Sequence, residues 1–247
     1  MKTPVATLAL ALAMCGMLVS LCLADAPSVP TAAEEAGWEM DFTDNFDRDE
    51  LGDNWEVLAG DWALEDGALV GKGTLIATRA FPAPEEFRDL PGESAPGFLR
   101  VEFEVRTERV PGILLPGAPP PKGSPTDVNA FIHAPPLEAG ARPALKGYYF
   151  QFGAFMNSRN IIRRAGVLMA EDTDPEMRIK PGETHRIVME NDEGTVRLIV
   201  DGRVLLESDE RASLVGHGYD RVGFDFHTRV WVRNLRIYAK RLPEGYI

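Results

Sequence analysis

Residues 184–207, T-H-R-I-V-M-E-N-D-E-G-T-V-R-L-I-V-D-G-R-V-L-L-E, limit the folds open to this chain more than any other stretch. Three short apolar runs, 187–189, 196–200 and 204–206, are separated by Asn191-Asp192-Glu193-Gly194 and by Asp201-Gly202. Turn residues of that kind between apolar runs predict a three-stranded antiparallel meander, because Asp-Gly and Glu-Gly supply the positive φ angles of tight hairpins. Val196, Leu198 and Val200 fall on one face and Arg197 and Ile199 on the other, so a second layer has to cover the first set.

The same style of short strand and glycine turn recurs along the chain. Residues 38–58 give two strands around an Asp-rich loop, residues 61–71 give a hairpin with Asp66-Gly67 at its tip, and residues 98–106 alternate strictly. In that last run Val101, Phe103 and Val105 point one way, and Arg100, Glu102, Glu104 and Arg106 the other. Gly147-Tyr148-Tyr149-Phe150-Gln151-Phe152 is a strand with Tyr148, Phe150 and Phe152 inward and Tyr149 and Gln151 outward. Residues 221–227 and 230–238 supply two closing strands, while 82–90 and 208–214 suit single helical turns. Every periodic segment has period two, which predicts an all-β sandwich formed by one domain from residue 38 to 247. Nine of the nineteen prolines lie between Pro111 and Gly147, so that stretch reads as a long, stiffened loop of the kind that carries function.

Upstream, Lys2, an apolar run over 5–23 and small residues at Ala24 and Ala26 read as a signal peptide over 1–24, with cleavage after Ala24 expected ahead of Ala26, and an uncleaved anchor as the alternative. A flexible lead-in over 25–37 follows, and no later run is long and apolar enough to span a bilayer. This predicts an exported protein, periplasmic or extracellular. Both cysteines, Cys15 and Cys22, fall inside the signal segment, so the mature domain is expected to have no disulfide. A net charge of −12 carries no basic footprint and argues against nucleic acid as a partner.

Four segments together resemble the concanavalin A-like lectin and glucanase jelly rolls. They are F-T-D-N-F with W-E-V-L, D-G-A-L-V-G, G-Y-Y-F-Q-F-G, and the H-R-I-V to V-D-G-R-V meander with W-V-R-N-L-R-I-Y. More narrowly the chain resembles the 3-keto-disaccharide hydrolase domains. The resemblance implies a two-sheet antiparallel jelly-roll sandwich that handles carbohydrate. Family members often carry Glu where this chain has Tyr149, and Asp where it has Arg233. The first departure removes a carboxylate from the expected groove. The second replaces a ligand of a structural calcium by a cation that could pair with Asp44 or Asp47 instead.

Glycoside cleavage needs two carboxylates, about 5 to 5.5 Å apart for retention and wider for inversion. Glu102 and Glu104 at i and i+2 on one strand face are the candidate catalytic pair, with a solvated, ion-paired strand face as the other reading. Asp44 and Asp47, in a segment that also holds Asp49 and Asp53, offer oxygen ligands for a structural calcium, although a solvated turn fits the same residues. No other cofactor is expected, since His133, His185, His217 and His227 have no zinc-type spacing.

The candidate ligand-binding set is Tyr149, Gln151, Asn157, Arg159, Asn160 and Arg163, joined by His133, His227 and Trp231. Sugars are held by aromatic faces on their C–H surfaces and by planar amides and guanidinium groups on their hydroxyls. The leading expectation is a glycan-recognition module. A glycoside or 3-keto-glycoside hydrolase and a structural surface domain without a ligand are the alternatives, and the sugar and the oligomeric state are not legible.

Overall fold

A computed structural model describes residues 33, 36–81, 97–108, 127–215 and 218–242. The signal segment with both cysteines, the helical turn expected at 82–90, most of the proline-rich loop and His217 lie outside the described residues. Ala33, in the stretch read as a flexible lead-in, is buried with Trp38, Phe98 and Tyr238.

Thirteen strands are found among the described residues: β1 (Glu39–Asp44), β2 (Trp55–Val57), β3 (Asp61–Glu65), β4 (Ala68–Ala77), β5 (Gly97–Thr107), β6 (Val128–Ala134), β7 (Tyr148–Gly153), β8 (Arg159–Arg164), β9 (Val167–Asp172), β10 (Thr184–Asp192), β11 (Thr195–Val200), β12 (Arg203–Asp209) and β13 (Arg221–Arg241). All pairings are antiparallel. The segment after β12 bends without forming the expected helical turn, and residues 159–164, which follow a polar pattern, are strand β8.

Strand β13 organises the sandwich. The two closing strands expected at 221–227 and 230–238 are one run of 21 residues. One edge of β13 pairs with β4 and then β1, and the other with β6 over 221–224 and then β5 over 230–241. The ladder therefore divides at β13 into a front sheet, β4-β13-β6-β7-β8-β9, and a back sheet, β13-β5-β10-β11-β12. Two irregularities make the change of sheet possible. The β4 register shifts between Phe226 and Val230, and the β5 register shifts between Arg233 and Arg236, where Asn234 has φ 52°. The second irregularity adds a residue, so the buried series Val222, Phe224, Phe226, Val230, Val232 continues as Leu235 and Ile237 with inverted parity.

Between the sheets lies one apolar core. Phe224 stacks on Trp55 with ring centroids 6.0 Å apart and meets Phe103 edge-on at 5.3 Å. The meander fills its expected place, with Val196, Leu198 and Val200 in the core. Burying each of those side chains stabilises the fold by roughly 1.5–3 kcal/mol before entropy is counted.

At the turn between β11 and β12, Asp201 has φ 51° and Gly202 φ 80°, as a type I′ hairpin requires. A Cβ on Gly202 would meet no atom within 4 Å, so the penalty for a side chain there comes from φ alone. Gly202→Val is expected to lower unfolding free energy by about 1–3 kcal/mol in chemical denaturation, and Gly202→Asn to recover most of the loss. An unchanged midpoint for the valine variant would contradict the turn assignment.

Candidate functional site

Alternation on the front sheet sends one set of side chains to the core and the other to the outer face, where two cross-strand rows form. The first row runs Ile76 on β4, Gly223 on β13, Phe131 on β6, Tyr149 on β7 and Arg163 on β8. Gly223 is required there, because a Cβ would lie 2.3 Å from the Phe131 ring. The second row has Thr74 opposite Asp225, and Asn129 opposite Gln151, which in turn lies opposite Ile161; extending the β13–β6 register by one residue brings Asp225 beside Asn129. Beyond it stand His227, on β13 with Asp225, and Asp127, which directly precedes β6.

Tyr149 faces outward as its parity requires, yet it is only 1% exposed. Leu137, Ala141 and Ala144, from the segment after β6, pack with Ile76, Phe131 and Tyr149 into a second small core that covers the first row. The expected stacking platform is therefore a buried phenol. Its hydroxyl donates to Asp225 Oδ2 at 2.7 Å, while Thr74 Oγ1 donates to Asp225 Oδ1 at 2.8 Å. Burial, and then the Asp225 charge, push the phenol well above the ordinary tyrosine range.

In the second row Thr74, Asn129 and Ile161 are buried, Asp225 and Gln151 are partly exposed, and the row forms a chain of polar contacts that reaches solvent at Gln151 and His227. Gln151 Nε2 donates to Asn129 Oδ1 at 3.3 Å, and Asn129 Nδ2 donates to Asp127 Oδ2 at 2.9 Å. His227 Nδ1 donates to the same Asp127 oxygen at 2.7 Å. That bond raises the imidazole above its ordinary value, outweighing the opposing effect of burial. Arg163, beside Tyr149, donates to the Gly166 carbonyl at 3.2 Å. The front face thus gathers Gln151, Arg163 and His227 of the expected set, with Tyr149 beneath them.

The other expected residues go elsewhere, each for a physical reason. Asn157, with φ 59°, locks a loop by accepting from the Ile179 N–H at 3.1 Å and donating to its carbonyl at 2.7 Å. Asn160 is buried and ties Gly153, Asp172 and Met177 together. Arg159 pairs with Glu171 at 2.6 Å and lies 4.9 Å over Phe155. His133 sits inside, its Nδ1 donating to the Tyr219 carbonyl at 3.1 Å, and burial pulls it down to about 4, so it is neutral at physiological pH.

Glu102, Glu104 and Trp231 occupy the outer face of the back sheet, on the far side of the molecule's core from Gln151. Arg100 and Arg186 clamp the two Glu102 oxygens at 2.8 and 2.6 Å. Burial opposes ionisation of Glu102, but the Arg186 and Arg100 bonds outweigh it and hold the carboxyl below the usual range. A carboxylate held that way is not placed to act with Glu104 on a bond in the front groove.

The expected calcium ligands do not fit a metal. Asp44 Oδ1 accepts from the Phe46 N–H at 2.8 Å and Arg48 at 2.6 Å, and Oδ2 accepts from Arg48 at 2.9 Å and the Trp55 indole at 2.9 Å. Arg48, not Arg233, is the cation on this carboxylate; Arg233 donates to the Asp66 carbonyl at 2.7 Å. The Asp47 N–H closes an Asx turn on Asn45 at 3.1 Å. Among the described residues no group of three or more His, Cys, Asp or Glu is arranged to hold a metal ion.

No protein-family model matches this sequence, and no curated protein does. Solved structures do match in shape. A protein of unknown function with a galectin-like fold from Bacillus subtilis superposes with TM-score 0.55 at 14% identity, over 83% of this chain and 98% of that one. The fold is a galectin-like jelly roll. The carbohydrate recognition domain of Emp47p gives TM-score 0.54 at 12% identity, over 82% and 97% of the two chains. A structure from work on endo-acting O-glycanases of the human gut microbiota gives 0.50 at 14%, over 81% and 98%. These chains share this two-sheet architecture, and the narrower hydrolase-domain resemblance has no matching family model behind it.

Replacing Asp44 tests the arginine clamp. Burial opposes its charge, yet Arg48, Trp55 and the Phe46 N–H together hold the carboxyl below its ordinary value. Its contribution is therefore fully present above the unfolded-state value of about 3.9 and is lost as pH falls toward the lower folded-state value. Asp44→Ala is expected to cost about 1.5–3 kcal/mol at neutral pH, with wild-type and variant stabilities converging below about pH 4. A chelator should leave the wild-type melting temperature unchanged; a chelator-induced drop would restore the calcium reading.

Proposed function

We propose that the protein is an exported carbohydrate-recognition module, with its ligand laid against the solvent-reaching groups of the front sheet, Gln151 and His227, over a buried Asn129. The observation that carries this reading is the contact chain Gln151–Asn129–Asp127–His227. Each member fixes the next, so the outward groups, Gln151 Oε1 and His227 Nε2, are held in place before a ligand arrives. Arg163 adds donors one row away. Preorganised amides, imidazole and guanidinium reduce the ordering cost that otherwise weakens binding of flexible, heavily hydrated sugars. The carbohydrate recognition domain of Emp47p, with the same architecture, supports the reading by analogy of fold.

Recognition is favoured over cleavage by what surrounds the carboxylates on this face. Asp225 accepts from Tyr149 and Thr74, and Asp127 accepts from His227 and Asn129. A general acid has to hold a proton toward the leaving oxygen, whereas both of these carboxylates are hydrogen-bond acceptors of protein donors. The apolar run over 1–24 supports export, and no helix among the described residues is long and apolar enough to cross a membrane.

Screening neutral oligosaccharides on a glycan array, followed by calorimetry, tests the proposal. Gln151→Ala and His227→Ala are each expected to weaken the best ligand about tenfold, the loss of one good hydrogen bond, with melting temperature preserved. Asp127 favours the imidazolium, whose Nε2–H donates to the ligand, so affinity should fall as pH rises through a value above 6.5. In Asp127→Asn that step should move down. An absence of binding across the array, or turnover of a bound glycan, would overturn the reading.

A further inference from the structure

The back sheet carries a cleft that the front-face reading does not use. It encloses about 110 Å³ and is lined by Glu104, Val105, Arg106, Thr184, Trp231 and Arg233. That is room for a group much larger than one water molecule. Strand pairing builds it: Arg106 on β5 lies opposite Trp231 on β13 and Thr184 on β10, and Glu104 lies opposite Arg233. The guanidinium of Arg106 stands 5.1 Å and that of Arg229 5.3 Å from the centre of the indole ring.

The charges here are handled unlike those on the rest of the same face. A few residues along, Glu102 is bonded to Arg100 and Arg186, and Glu190 to Arg100 and Arg197, which closes a lattice of ion pairs. At the cleft Arg229 is taken by Glu65 and Arg233 by the Asp66 carbonyl. Arg106 and Glu104 enter no ion pair among the described residues, and both face the cleft. In a protein of net charge −12, an arginine left open beside two further arginines is a local exception.

We propose that this cleft is a second ligand site, separate from the front face, and that it takes a uronic-acid sugar. Arg106 supplies the fork of N–H donors that matches a carboxylate, with Arg233 adding a second positive charge. Glu104 and the Thr184 hydroxyl accept from ligand hydroxyl groups, and the indole edge and Val105 offer apolar surface to ring C–H groups. A ligand bearing one carboxylate amid several hydroxyls meets all of these at once. A bare carboxylate meets only the arginines, and a neutral sugar leaves Arg106 unanswered.

The test is titration of the full chain with digalacturonate, cellobiose and sodium acetate in low-salt buffer, by tryptophan fluorescence and calorimetry. Digalacturonate should saturate and perturb the fluorescence, with affinity falling as salt rises. Arg106→Gln should weaken it about tenfold or more, and Trp231→Phe should remove the fluorescence change. Gln151→Ala on the front sheet should leave it unaltered, so failure of the front-face reading would not remove this one. Circular dichroism checks that each variant is folded. Absence of digalacturonate binding, equal binding of cellobiose or of acetate, or loss in Gln151→Ala with none in Arg106→Gln would each overturn the proposal.

Discussion

The sandwich depends on one strand having partners on both edges along most of its length. β13 gives β4 and β1 one side and β6 and β5 the other, so neither sheet exists as a closed hydrogen-bonded layer without it. Its inward residues are the apolar contact between the layers, and Phe224 touches aromatic rings from β2 and β5 at once. Backbone pairing and core packing are thus imposed by the same residues, which leaves little freedom in where the outward side chains of β13 emerge. Asp225 and His227 emerge on the front face, Trp231 and Arg233 on the back.

That division gives the two outer faces different chemistry. On the front, acids are matched to hydroxyl, amide and imidazole donors, which makes a polar surface of modest local charge. On the back, carboxylates and guanidinium groups alternate along β5 and β10, and most are mutually neutralised. Exposed ion pairs of this sort add little stability individually. Glu102 and Glu190 are buried, however, and removing an arginine from either would strand a carboxylate out of water.

Much of the fold was legible in the sequence because it is encoded locally. Period-two alternation identified the strands, and Asp201-Gly202 and Asp66-Gly67 marked hairpins that both take positive φ. The site was less legible because alternation says only that a residue faces away from the core. Tyr149 and Gln151 face away from it on one sheet, Glu102, Glu104 and Trp231 on the other, and only long-range pairing tells the two apart. Tyr149 was read as an exposed platform because nothing local shows that Leu137, Ala141 and Ala144 fold back over it. Asn129 and Asp127 lie in a proline-rich stretch where the apolar Phe131 breaks the alternation that Val128, Ala130 and Ile132 would otherwise show, so nothing local marks Asn129 as outward. Asp44 looked like a metal ligand because its acidic neighbours are close in sequence, whereas the groups that satisfy it include Trp55 and the Arg48 guanidinium.

The place of β13 in the chain also sets the order of events during synthesis. Hairpins such as β10-β11 are local and close within microseconds, but β1, β4, β5 and β6 all await residues 221–241. Until that last strand leaves the ribosome, four strands carry open edges and the core has no central wall. Folding therefore waits on the slowest class of contact, pairing between distant parts of the chain, and hairpins that have already formed join into two sheets in one event when β13 docks.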